Sequence, residues 1–288
     1  MRRLLAFYEN GNYSVRLFRD GTKVKSTRED SFRAEFPDSI DLKITDYCDL
    51  ACPMCHERSS VNGAAGDLSR PFLLTLHPGT ELAIGGGNPL SHNGLVPFLE
   101  RMRKEGIVCN LTVNGAHLKR DAALVRSLID RGLIFGLGVS ITALDEEVIE
   151  FAKVYKNTVL HLVCGVFSDY EGLFGKGLKI LMLGYKRFGR GNEFYDARVE
   201  KCISETRALL PTMVDKFECI SFDNLALSQL EVSSLISKED YEEMFMGDDG
   251  EASMYIDLSG GVFARSSTST ERYPIEDDIK VMFERIRV

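Results

Sequence analysis

The chain lacks any run of eighteen apolar residues, which excludes a transmembrane helix. Its first residues, Met1-Arg-Arg-Leu-Leu-Ala-Phe-Tyr8, turn polar at Glu9 and read as too short for a secretory signal. Positive charge is in deficit: 35 Lys and Arg face 43 Asp and Glu, for a net charge of −8. No basic stripe is visible, which argues against nonspecific nucleic-acid binding. Cysteine is not scarce, at seven, but no second C-x2-C pair accompanies the first. A disulfide framework is not expected at this length, so the reading is a reduced, cytoplasmic protein. The 288 residues suit one large domain or two small ones.

What is present centres on Cys48-Asp-Leu-Ala-Cys52-Pro-Met-Cys55, a C-x3-C-x2-C spacing. The alternating run Ile40-Asp-Leu-Lys-Ile-Thr45 before it reads as a strand, so the thiols lie in a loop at its carboxyl end. Three thiolates can hold three irons of a four-iron cluster and leave the fourth open for chemistry. The other reading is a zinc-stabilised Cys3His binding module without turnover, with His56 as fourth ligand.

The rest of the chain supplies a rhythm. Residues 1–38 read as an antiparallel meander with hairpin turns at Asn10-Gly11 and Asp20-Gly21, followed by a charged link. The meander serves either as a substrate-recognition flap or as a cover for a sheet edge. Strands then alternate with helices over residues 39–210, which predicts parallel βαβ units. The strands fall near 40–45, 81–84, 107–113, 133–141, 158–163 and 178–183. Helices are expected at about 95–105, 119–131, 145–153 and 193–209. Residues 211–288 break the rhythm. They read as an α+β cap with an edge strand near 217–222, a hairpin across Gly260-Gly261 and a final amphipathic helix.

The cysteine loop after a first strand resembles the signature of the radical S-adenosylmethionine (SAM) superfamily. The resemblance implies an α/β fold, a partial (β/α)6 TIM-like barrel. It also implies that Cys48, Cys52 and Cys55 ligate a [4Fe-4S] cluster whose open iron takes SAM. Reductive cleavage of SAM to a 5′-deoxyadenosyl radical, then hydrogen abstraction from a substrate, would follow in an oxygen-sensitive enzyme. Met54, before the third cysteine, stands where the family keeps a bulky residue near the adenine. Gly85-Gly86-Gly87-Asn88-Pro89 matches the family's Gly-Gly-Glu-Pro segment at the SAM amino group, with Asn88 where the family has Glu. Gly86, Gly87 and Pro89 are carried over with it. Asn114 and Ser140, ending the third and fourth strands, match positions beside the SAM ribose. Gly184 and Tyr185, after the sixth strand, match backbone that flanks the adenine. No cysteine follows Cys219, so no auxiliary cluster is expected.

Ligands bind at the carboxyl ends of parallel strands, which makes the strand ends a site list. Lys186, Arg187 and Arg190 crowd the end of the sixth and could hold an anionic substrate. The candidate substrates are a peptide or protein side chain and an anionic, nucleotide-like small molecule. A flavodoxin or ferredoxin is the expected electron donor. Cys202, Cys219 and Tyr185 are candidate hydrogen donors. His161 reads as a hydrogen-bonded core histidine, and Asp248-Asp249 as an exposed turn.

Overall fold

The computed structural model describes residues 2–287. Three antiparallel strands open it: β1 (Leu4–Asn10), β2 (Tyr13–Phe18) and β3 (Lys23–Thr27). They form a sheet of their own in the order β1-β2-β3. The glycine turns work as expected, Gly11 and Gly21 both lying at positive φ.

The second sheet holds ten strands. Six are the alternating ones: β4 (Ser39–Thr45), β5 (Glu81–Gly86), β6 (Val108–Asn114), β7 (Gly136–Ser140), β8 (Thr158–Val163) and β9 (Lys179–Leu183). They are parallel neighbours in chain order. Between them run α1 (Leu95–Lys104), α2 (Gly115–Arg120), α3 (Ala122–Asp130) and α4 (Glu146–Val154). After β9 come α5 (Arg190–Phe194) and α6 (Ala197–Leu209). The expected helix over 119–131 is broken: Asp121 ends α2 at φ −110° and starts α3. The helix expected over 193–209 is also two, because Asp196 accepts from Arg198 N and Val199 N and so starts a new helix.

Residues 211–288 do more than cover the sheet; they lengthen it on both sides. β10 (Cys219–Phe222) pairs parallel with β9 at one edge. β11 (Ser253–Asp257) pairs parallel with β4 at the other and turns back into β12 (Val262–Ala264) and β13 (Tyr273–Pro274). Eight parallel strands therefore stand where six were expected. The hairpin at Gly260-Gly261 was legible, but which strand it would join was not. Three helices complete the region: α7 (Asn224–Gln229), α8 (Lys238–Met244) and α9 (Ile279–Ile286).

Side-chain alternation gives the sheet two unlike faces. Leu42, Ile84, Leu111, Val139, Leu160 and Ile180 are 0–1% exposed and share one core with the helices' apolar stripes. The other face carries Lys43, Thr112, Ser140, His161 and Tyr255. A polar face with glycines at 136 and 138 leaves room for a ligand rather than filling itself with aliphatic side chains.

The meander sits at the amino ends of the strands, away from the cysteine loop. Lys23 pairs with Glu81 at the start of β5, and Lys179 Nζ, at the start of β9, donates to Asp20 O at 3.1 Å. Buried Asp38 ties it down, accepting from Tyr8 and Tyr13 hydroxyls at 3.2 and 2.8 Å, from Asn10 Nδ2 at 2.8 Å and pairing with Lys25 at 2.8 Å. The flap reading therefore does not hold. The meander closes the end of the sheet opposite the candidate site.

Candidate functional site

The cysteine loop leaves β4 and is held to the body by backbone. Cys48 N donates to Ser60 O at 2.9 Å, and Cys55 N to Cys52 O at 3.2 Å. Ala51 and Arg58 lie at φ +48° and +54°, a tight course for non-glycine residues. The loop also depends on the end of β5. A Cβ on Gly87 would come within 2.1 Å of Tyr47 O, and one on Gly86 within 2.4 Å of Thr45 O. The close approach these glycines permit is thus to the chain's own carbonyls.

A cavity of about 290 Å³ opens at the carboxyl ends of the parallel strands. Cys48, Cys52 and Cys55 line it together with Met54, Gly86, Gly87, Asn114, Ser140, Gly184, Tyr185 and Lys186. Eleven of the fifteen residues singled out from the sequence therefore meet at one place. Four do not line it. Asn88 is fully buried, its Oδ1 accepting from Leu90 N at 3.2 Å and its Nδ2 unpartnered. Pro89 is buried and starts a 3-10 turn. Arg187 lies over the Tyr195 ring at 4.2 Å. Arg190 Nε donates to Cys52 O at 3.0 Å and its Nη2 to Ser59 O at 2.9 Å, so it clamps the loop.

Other placements refine the list. Asn114 Oδ1 caps α2 by accepting from Ala116 N at 2.9 Å. The Tyr185 hydroxyl donates to Gly191 O at 2.8 Å, so its backbone rather than its phenol is available. That backbone is fixed by Gln229, which accepts from Tyr185 N at 2.8 Å and donates to its carbonyl at 3.0 Å. Lys186 Nζ donates to Ser267 Oγ at 2.9 Å. Cys202, on α6, donates toward Phe167 O, and Cys219 is exposed on the edge strand β10; neither lines the cavity.

Sequence reasoning missed three features. His161 is not a hydrogen-bonded core histidine. Its ring lies against Gly138, where a Cβ would be 2.3 Å away, and lines the cavity with no hydrogen bond among the described residues. Burial lowers its pKa to about 4, so the imidazole is neutral near pH 7. His117, 1% exposed, also lines the cavity; its Nε2 meets Asp49 Oδ1 at 2.7 Å. That hydrogen bond, with the one from Arg120, holds the Asp49 carboxyl down at about 2. Third, Lys43 Nζ reaches Asp46, Glu57 and Asp257 at 2.6, 2.9 and 3.0 Å, and Tyr255 donates to Glu57 at 3.0 Å. Burial opposes the Glu57 charge, but the His56 hydrogen bond and the Lys43 ammonium outweigh it and bring the pKa to about 2. Burial pushes His56 toward its neutral form, leaving Lys43 as the permanent cation of the group. The signal for this network, a lysine on an inward strand position, was present but has no partner visible in sequence.

The three thiols fit a multinuclear cluster better than one ion. All three are free and half-buried. Burial raises the Cys52 pKa, and the neighbouring Cys48 and Cys55 raise it further, so the sulfurs oppose one another's charge until a cation separates them. A single zinc ion with 2.3 Å bonds draws its donors close together. Among the described residues, the group of three or more His, Cys, Asp or Glu donors within 4.8 Å of one another is Cys48, Asp49 and His117, without Cys52 or Cys55. The expected zinc ligand His56 instead meets Glu57 at 3.3 Å.

No family model and no curated protein matches the chain. Solved structures of Streptococcus suis SuiB do. The form bound to the precursor peptide SuiA matches with a TM-score of 0.57 and 16% identity, over 87% of this chain and 65% of that one. The chain has the SuiB fold. SuiB bound to S-adenosylmethionine gives a TM-score of 0.56 at 16% identity, over 84% of this chain and 64% of SuiB. This chain thus spans just under two thirds of SuiB's length. Within the SuiB fold, the C-x3-C-x2-C loop of this chain fits the radical SAM motif in spacing.

Proposed function

We propose that this chain is a radical SAM enzyme acting on a peptide. The observation that carries the reading is the meeting of three free cysteines with the glycine turn after β5 in one cavity at the carboxyl ends of the strands. SuiB, whose fold it shares, has been captured with S-adenosylmethionine and with a precursor peptide. In this reading the sheet curls as a partial (β/α)6 barrel, extended by the flanking strands. The segments 1–38, 39–210 and 211–288 are its meander, barrel and cap.

Cys48, Cys52 and Cys55 would hold a [4Fe-4S] cluster, with Met54, Gly86, Gly87, Ser140 and the 184–185 backbone around SAM. When bound, the cluster supplies the electron that cleaves SAM, and the resulting one-electron chemistry removes a hydrogen atom from the substrate. The chain's own tasks are positional. Arg190 holds the carbonyl of Cys52, and the Lys43–Glu57–Tyr255 network fixes the loop just past Cys55. Apolar Val163 and Leu183 and neutral His161 line the cavity and help exclude water. A flavodoxin or ferredoxin would deliver the electron.

The cations at the mouth do not favour an anionic small molecule. Arg187 and Arg190 are engaged on Tyr195 and the cysteine loop, and Lys186 on Ser267. Asp41, in the amino half of β4, lines an adjoining cleft together with Lys186 and Asp223. Its surroundings raise its pKa, chiefly by desolvation and then by Asp249, Asp223 and Glu57, against the pull of Lys186.

Anaerobic reconstitution should give a brown protein with about four irons per chain. With reductant and SAM it should form 5′-deoxyadenosine. Cys52→Ala should remove colour and SAM cleavage together, and turnover that survives the change would refute the assignment.

A further inference from the structure

We infer that His161, together with Ser140, holds the ribose hydroxyls of S-adenosylmethionine, in place of the Asn114 that the family resemblance nominates. The inference rests on the SAM reading above and deepens it. Asn114, Ser140 and His161 are register partners in one row across β6, β7 and β8. Residues in such a row share a face of the sheet, and all three line the cavity with the motif cysteines. Their side chains are not equally free. Asn114 Oδ1 accepts from Ala116 N at 2.9 Å, which ties its amide to the start of α2. The Ser140 hydroxyl and the His161 ring have no hydrogen-bond partner among the described residues, although both face the cavity. Polar groups in such a place are normally satisfied, so a ligand is the missing partner.

The place of the ring is built by a second element. Gly138 is buried on β7, two residues before Ser140. A Cβ there would lie 2.3 Å from His161 Cε1 and 2.5 Å from its Nε2. Any side chain at 138 would push the imidazole away, so the glycine lets the ring lie across the strand that carries Ser140. Burial keeps the ring neutral, with its pKa lowered to about 4. A neutral imidazole donates through one nitrogen and accepts through the other. It is too weak a base to carry protons near pH 7, so its role is positioning.

The chemistry of the ligand selects the ribose. S-adenosylmethionine has a charged amino-acid end, a sulfonium, an aromatic base and one neutral polar unit, the vicinal diol. In the SAM reading the charged end goes to the open iron and the glycine turn, and the base to Met54 and the 184–185 backbone. The diol is left for the row on β7 and β8. Two neutral groups from strands about 4.8 Å apart suit hydroxyls on adjacent carbons, because all four partners can donate and accept. A neutral ring also accepts a hydrogen bond without repelling the sulfonium, as an imidazolium would.

The test measures equilibrium binding, not turnover. The reconstituted full chain is titrated anaerobically with S-adenosylhomocysteine and with its 2′-deoxy and 3′-deoxy analogues. For the parent, loss of at least one hydroxyl should weaken binding by about 5–30-fold. His161→Phe fills the same space with a ring that cannot hydrogen-bond. It should bind the intact ligand more weakly by a similar factor, and one of the two hydroxyls should then cease to matter. His161→Gln, which can still hydrogen-bond, should keep that sensitivity. A purely structural ring would lower affinity for all three ligands alike, and that result would overturn the assignment. A parent that binds all three equally would also overturn it, without any variant having to fold, and would leave the SAM reading standing. A parent that binds none of them would refute the SAM reading and this inference with it.

Discussion

At the scale of single residues, environment decides what a side chain can do. His161 sits on an inward strand position against Gly138 and is neutral because burial lowers its pKa to about 4. The unfolded chain takes up a proton near pH 6.5. A folded pKa below the unfolded one gives stability that is complete above about pH 6.5 and is lost as pH falls toward 4. The loss should approach about 3 kcal/mol at the acid end. Comparing denaturant unfolding of the parent and His161→Gln between pH 7 and pH 4 measures it. Equal slopes in the two proteins would mean that His161 titrates normally. The sequence showed this histidine in an apolar run, but not the glycine on the next strand that brings its ring to the cavity. The Asp49–His117 contact was likewise out of sight, because 68 positions separate the two residues and only the sheet brings them together.

At the scale of elements, the cysteine motif is one partner in a joint. Gly189 and Arg190 at the start of α5 press on the loop: Arg190 N donates to Cys55 O at 3.1 Å, and a Cβ on Gly189 would meet His56 O at 2.2 Å. Arg190→Ala removes two side-chain hydrogen bonds to loop carbonyls. It should cost about 1–3 kcal/mol and speed cluster loss under chelator challenge. Unfolding midpoints and iron retention measure the two effects. Unchanged iron retention would show that the loop keeps its shape unaided. The glycine turn after β5, the three cysteines and the strand rhythm were legible because each is local and periodic. The clamp was not, because nothing local distinguishes an arginine that binds backbone from one that awaits a substrate. The breaks at Asp121 and Asp196 were also overlooked, since apolar spacing runs on across both and only the capping geometry interrupts it.

At the scale of the whole molecule, the last eighty residues are built into the sheet. β10 closes one edge beside β9, and β11 closes the other beside β4. A chain ending at residue 210 would expose both edges and strip Lys43 of Asp257, leaving a buried ammonium with fewer counter-charges. Such a chain should aggregate or melt without a cooperative transition, as read by circular dichroism and light scattering. A sharp, reversible melt would mean that residues 39–210 fold alone as a separate unit. A periodic pattern announces neighbouring strands. It does not announce that a strand from the far end of the chain will complete the sheet.

Lys43 bonds Asp257 across 214 positions, while Glu57, two residues past the last motif cysteine, hangs on the same lysine and on Tyr255. On the ribosome, then, the cysteines emerge well before the strand that braces them. The finished geometry of the loop can form only once that strand has been made.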